Sequence, residues 1–338
     1  MASAAGTASS GDTQISPVHK IGTEARADRT ARSCGSACYT GNRVSDEDRV
    51  ASLQELPTNQ PAYREGNPLS VSVKNRFYRI EFEGAIHWAQ AAEPETDEPY
   101  PLDNQLCLLS GDPLAGGKPN DRLVDRASVE VLVPCTPTKI IGVARNFAAH
   151  AEERERAVPP EPLIFLKPLT TLTPTGAQIV NPSACEHLNY EGELAVVISK
   201  EGHLISETAS MNHVWGYTVI NDVTARDIQN REEAFVRAKG YDTFAPVGPC
   251  VATGLDPLSL IVETHVNNEL QQHGPLTQLV HPIPKLIAFI SSIMTLYPGD
   301  IIATGTPKGM IPVKPGDTVD VSVAGIGRIS NPVVAQEN

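Results

Sequence analysis

The stretch "NYEGELAVVISK", Asn189 to Lys200, decides how the chain is read. Leu194 to Ile198 is apolar and rich in β-branched residues, and Ser199-Lys200-Glu201-Gly202 closes it. That is the pattern of a strand running into a turn. Two acids, Glu191 and Glu193, stand at its head. Side chains alternate faces along a strand, so these two share one face while Leu194, Val196 and Ile198 share the other. At a rise of about 3.3 Å per residue, two carboxylates on one face sit roughly 6–7 Å apart. On a partly buried face such a pair is costly unless a cation neutralises it. A strand with one wet face would carry the same acids in water, so the rest of the chain must choose.

Asp222 supplies the third acid. It ends a run of small and apolar residues, "WGYTVIND", and precedes a loop that enters a helix. Carboxylates at strand ends are common building points for sites. Three acids from two strands make an all-oxygen site for a hard cation, Mg2+ or Mn2+ first and Ca2+ next, with zinc disfavoured. They also leave about half of an octahedral shell open for water and substrate. His150 and Glu153 form a second pair, at helical spacing on one face, where the acid can orient the imidazole as a general base. "HAEERER" is equally a charge-dense helical stretch of the kind that lies in solvent. Lys239 and Asp242 in "RAKGYDTFAPVGP" and Lys167 in "FLKP" lie in Gly/Pro-rich stretches that can fix an anion, although a surface position is the ordinary fate of a lysine. "TGTPKGM" is glycine-rich but lacks the spacing of a phosphate-binding loop, which argues against nucleotides.

The bulk numbers set limits. The 338 residues suffice for a large core and for more than one domain. A 41% hydrophobic and 20% charged composition is that of a soluble globular protein. A net charge of −13 argues against nucleic acid and anionic membranes as partners. Apolar runs are broken by charge, Gly or Pro before they reach a membrane-spanning length. The start lacks an apolar signal core, so a cytoplasmic protein is expected. Arg26, Arg29 and Arg32 are features of a transit peptide, which Asp12, Glu24 and Asp28 oppose. Six scattered cysteines fit free thiols in a reducing compartment.

Along the chain, residues 1–65 lack hydrophobic periodicity and read as a disordered tail. Phe77 to Phe82 and Ala85 to Trp88, joined by Glu83-Gly84, read as a hairpin. With a strand over Ser128 to Val133 it predicts a small β domain over 70–137. A larger domain over 138–335 opens with a strand at Lys139 to Val143, and Asn146 reads as the N-cap of a helix ending before Pro159. Leu286, Ile287, Ile290, Ile293 and Met294 recur at helical spacing up to Pro298-Gly299. Short strands and irregular loops with weak βαβ regularity predict a β-rich α+β fold.

The ordered motifs "ARNFAAHAEE", "FLKP", "NYEGELAVVI", "GYTVINDVTARDIQ", "KGYDTFAPVGP" and "TGTPKGM" resemble the fumarylacetoacetate hydrolase superfamily, in particular its bacterial members and acylpyruvases. The resemblance covers about Lys139 to Pro332. It implies a mixed β-roll, usually a homodimer, acting on 2-oxo acids or their enols. It implies that Glu191, Glu193 and Asp222 bind Mg2+ or Mn2+, and that His150 and Glu153 form a catalytic dyad on a lid. Lys239 and Gln229 match polar residues facing metal and substrate. Arg145, Lys167, Arg226 and Thr306 match positions near the metal or the substrate carboxylate. The implied reaction is hydrolysis of a C–C bond in acylpyruvate- or fumarylpyruvate-type acids. Isomerisation, decarboxylation or oxaloacetate tautomerisation on the same metal site is the alternative.

Overall fold

The protein is described by a computed structural model covering residues 73–94, 99–153, 155–232 and 234–337. The tail expected over 1–65, its arginines, and Cys34 and Cys38 lie outside the described residues.

The strands, in chain order, begin with β1 (Asn75–Phe82), β2 (Ala85–Ala91), β3 (Gln105–Leu109), β4 (Pro119–Asp125) and β5 (Glu130–Leu132). β6 (Ile140–Ala144), helix α1 (Ala148–Glu153), β7 (Leu163–Lys167), β8 (Leu172–Thr173), β9 (Ile179–Asn181) and β10 (Leu188–Asn189) follow. Then come β11 (Gly192–Ile198), β12 (Val214–Asn221), β13 (Thr224–Ala225), α2 (Arg226–Arg231) and α3 (Val236–Lys239). The chain continues through β14 (Ala245–Thr253), β15 (Ile261–Val266), β16 (Glu269–Pro275) and α4 (Ile283–Ile293). It ends with β17 (Ile301–Ala303), β18 (Pro312–Val313), β19 (Thr318–Val323) and β20 (Gly327–Ala335).

The principal sheet runs β4-β3-β2-β1-β14-β12-β11-β17-β6-β7, with β5 on β1 and β8 on β14. A second sheet runs β16-β15-β19-β20-β9, and a third, short one β13-β10-β18. Most pairs are antiparallel; β6 with β17, β8 with β14 and β9 with β20 are parallel. This is the mixed, β-rich α+β architecture expected. The strands assigned to a small β domain continue the principal sheet, because β1 pairs with β14. The hairpin forms with Phe82 opposite Ala85, and Glu83 and Gly84 at its tip have φ of 51° and 75°.

β11 lies where the two cores meet. Leu194, Val196 and Ile198 enter one hydrophobic cluster; Ala195 and Val197 enter the other. A strand buried on both faces reads as a continuous apolar run, as this one does. β15 of the second sheet packs over it.

Three local expectations are corrected. Asn146 does not cap α1: its Nδ2 donates to the carbonyls of His281 and Thr304 at 3.0 and 2.8 Å, and its Oδ1 accepts from the His281 N–H at 2.7 Å. Those long-range bonds consume the groups that a cap would use, and α1 ends at Glu153. The apolar spacing of α4 ends earlier than read: Leu286, Ile287 and Ile290 are buried, but Ile293 is 54% exposed and Met294 lies beyond the helix. Ser128 belongs to a 3-10 turn, Arg126–Ser128, whose entry Asp125 caps by accepting from the Ala127 N–H. Among the described residues no helix is long and apolar enough to cross a membrane.

Candidate active site

Two neighbouring strands deliver the three acids. Gly192 pairs with Asn221 in the β11–β12 ladder. Just beyond it, the Asp222 N–H donates to the Glu191 carbonyl at 2.8 Å, and the Glu191 N–H donates to Asn221 Oδ1 at 2.9 Å. These bonds fix the strand ends, and carboxylate oxygens of Glu191, Glu193 and Asp222 converge to within 4.8 Å of one another. All three residues are buried, at 6%, 2% and 1% exposure, so a wet face is excluded. The residue between the glutamates must be small. A Cβ on Gly192 would lie 2.1 Å from Thr264 Oγ1 on β15, and the Gly192 N–H donates to Gln272 Oε1 at 3.1 Å.

Cations answer two of the acids. Lys239 Nζ, at the end of α3, donates to Glu191 Oε2 at 2.7 Å and Asp222 Oδ2 at 2.6 Å. Lys167 Nζ, at the end of β7, donates to Asp222 Oδ1 and to the Lys239 carbonyl, both at 2.7 Å. Arg226, the first residue of α2, donates to Glu191 and to Gln229 Oε1. Glu193 accepts from the Gly305 N–H at 2.6 Å and is in no direct ion pair among the described residues.

The titration behaviour follows from this asymmetry. Burial alone would raise Glu191, but the charges of Lys239 and then Arg226 hold it well below the usual carboxylate range. Burial first, then the charges of Asp222 and Glu191, push Glu193 well above that range. Against the pull of burial, Asp222 and Glu191 raise the Lys239 ammonium. Burial outweighs Asp222 at Lys167 and lowers it. Glu193 is therefore the acid that favours its neutral, protonated form, with no cationic side chain paired to it among the described residues. A hard divalent cation held by the triad would take the place of that proton, and the donors are all oxygen.

A cavity of about 400 Å3 opens onto two of the three acids, Glu191 and Glu193, with Asp222 outside its lining. Lys239, Arg226, Gln229 and Thr306 line it together with the two glutamates. His150 and Arg145 face the same space. His150 is 6% exposed, and burial lowers its pKa from 6.5. Its Nδ1 is 3.5 Å from Glu153 Oε2 and has no hydrogen-bond partner among the described residues. Glu153 instead accepts from the Gly309 N–H at 3.1 Å. The dyad is side by side but not bonded.

The remaining expected residues divide. Arg145 is half-buried on a left-handed backbone with φ 56°. Thr306 lines the cavity, but its hydroxyl donates to the Gly192 carbonyl at 3.0 Å and accepts from Gln272 Nε2 at 2.9 Å. Lys167 is placed behind the triad and does not line the cavity. Asp242 is exposed and away from it. Sequence reasoning missed the Gly305 N–H on Glu193, the Gln272 bridge, and Arg156 and Phe235 in the cavity wall. Only Gly305 carried a signal, as a glycine in "TGTP".

Known proteins share this fold. The family profile described as "Fumarylacetoacetate (FAA) hydrolase C-terminal" matches residues 139–334. Oxaloacetate tautomerase YisK of Bacillus subtilis is 40% identical over 274 residues, covering 72% of this chain and 91% of its own. The crystal structure of 2-hydroxyhepta-2,4-diene-1,7-dioate isomerase from Mycobacterium marinum superposes with TM-score 0.71 at 34% identity, covering 78% of this chain and all of that one. Fumarylpyruvate hydrolase from Pseudomonas aeruginosa, solved with Mn2+ and pyruvate, superposes with TM-score 0.57 at 31% identity over 60% of this chain and 91% of that one. With the profile spanning more than half of its length, the chain belongs to the fumarylacetoacetate hydrolase family.

Proposed function

We propose that this protein is a divalent-metal-dependent hydrolase that cleaves a C–C bond in acylpyruvate- or fumarylpyruvate-type 2-oxo acids. The observation that carries the reading is a single cavity lined both by Glu191 and Glu193 of the buried carboxylate triad and by the buried His150. Glu191, Glu193 and Asp222 would hold Mg2+ or Mn2+, which when bound would supply a Lewis acid for the substrate carboxylate and 2-oxo oxygen. His150 takes a proton from a water that adds to the distal carbonyl. The bond between that carbonyl carbon and the adjacent CH2 breaks, releasing a carboxylic acid and a pyruvate enolate. The imidazolium returns its proton to the enolate carbon. Lys239 pairs with Glu191 and Asp222 and lines the cavity. The Pseudomonas aeruginosa hydrolase, with Mn2+ and pyruvate in its structure, supports the reading.

A second reading keeps the metal site and dispenses with the hydrolytic water: tautomerisation, isomerisation or decarboxylation of a 2-oxo diacid. The bond from Gly309 to Glu153 favours it, because a histidine that its acid does not orient is a poorer base for water. So does the identity to the Bacillus tautomerase. The test strips the protein with EDTA and restores Mg2+ or Mn2+. It then follows acetylpyruvate, fumarylpyruvate and oxaloacetate with product identification. Pyruvate plus a second acid supports hydrolysis; carbon dioxide, or a shifted double bond without cleavage, selects the second reading.

A further inference from the structure

α1 has six residues, too few to hold itself in place, since isolated helices are marginal below about 12–15 residues. The position of His150 therefore depends on contacts outside the helix: Glu153 is tied to the Gly309 N–H at 3.1 Å, and the ends of the segment 146–159 are tied as well. Both ends meet at one residue. At the near end, the His281 backbone clasps the Asn146 side chain through both its N–H and its carbonyl, at 2.7 and 3.0 Å. The neighbouring Val280 N–H donates to the Asn146 carbonyl at 2.8 Å, and Phe147 bridges to Leu279. At the far end, the His281 ring nitrogen Nε2 lies 3.1 Å from the Pro159 carbonyl. A carbonyl only accepts, so Nε2 bears the hydrogen. His281 is 4% exposed, which shields that bond from competing water.

We propose that His281 is a positioning residue: its backbone and its ring close the neck of the 146–159 segment and thereby set His150 over the carboxylate triad. His281 does not line the cavity, and its ring bonds to the Pro159 carbonyl, so it acts through the segment. The proposal rests on His150 being the base of the proposed reaction. Its structural half stands apart from that reading, because cleavage after the exposed Arg156, inside the segment, reads the neck without reading catalysis.

Because the Asn146 clasp uses backbone atoms, replacing the ring removes the far tether alone. His281→Phe keeps the apolar volume and loses the donor; His281→Gln keeps a donor at similar reach. Three readouts are compared in the full chain: kcat and KM with Mg2+, Mg2+ affinity by calorimetry, and the rate of limited tryptic cleavage after Arg156. The expected result for His281→Phe is a fall in kcat of about tenfold, unchanged Mg2+ affinity and cleavage several-fold faster, with His281→Gln restoring most of both losses. Wild-type cleavage and kcat in His281→Phe would overturn the proposal. So would His281→Gln failing to recover what His281→Phe loses. Faster cleavage with Gln rescue in a protein that does not hydrolyse acylpyruvates would leave the clasp standing and remove the hydrolase reading.

Discussion

The Gly305 backbone N–H stands 2.6 Å from Glu193 Oε2, and it is the one hydrogen bond that this carboxylate receives among the described residues. The other two acids share three buried cations, Lys167, Lys239 and Arg226. The site is thus uneven, balanced on one side and short of positive charge on the other. That unevenness gives the following expectations.

Gly305 has φ 103°, and a Cβ there would lie 2.8 Å from Asn146 Cβ. Gly305→Ala should cost about 1–3 kcal/mol through backbone strain alone. It should also shift the N–H off Glu193 and weaken Mg2+ binding. Thermal melting and calorimetry would register both losses; a wild-type melting temperature with wild-type Mg2+ affinity contradicts the role given to this contact.

His150→Gln should lower kcat by about 10²–10⁴, the range for a general base, while leaving Mg2+ affinity intact. Equal loss of both would place His150 in the metal site instead. Burial lowers the His150 pKa, so the neutral base persists below pH 6.5, and the acid limb of kcat/KM should fall below that value. For stability the sign is fixed as well. An unfolded histidine binds its proton near pH 6.5 while the folded one does not, so this group destabilises the fold as pH drops through 6.5.

Lys239→Met leaves Glu191 and Asp222 short of a shared counter-charge in a buried site. Breaking such a pair costs about 3–5 kcal/mol. The variant should therefore melt well below the wild type in EDTA, and saturating Mg2+ should recover a larger share of stability than it adds to the wild type, since a ligand bound only by the folded state stabilises it. Differential scanning calorimetry with and without Mg2+ makes the comparison; an equal Mg2+ increment in both proteins contradicts the view that Lys239 and a divalent cation neutralise the same acids.

Much of this was legible in the chain itself. A double-acid head on an apolar run is hard to explain without a cation, and Asp222 at the next strand end completes the set. Helical spacing placed Glu153 beside His150, but it could not show that Gly309, far along the chain, takes the carboxylate. Asn146 looked like a cap because local propensity favours it there; bonds to His281 and Thr304 won because they satisfy its whole amide. Contacts of this kind, Gly305 to Glu193 and Gln272 to Gly192 included, join residues about 80 or more positions apart and leave no periodic trace.

The central claim is that the triad binds one divalent cation and that Glu193 is the acid that needs it. Titrating Mn2+ into EDTA-stripped protein, with free Mn2+ read by electron paramagnetic resonance, tests this most directly in the wild type and in Glu193→Gln. One equivalent bound by the wild type, and binding weakened by at least about a hundredfold in Glu193→Gln, is the predicted result. Equal uptake by both proteins, or none by the wild type, would contradict it.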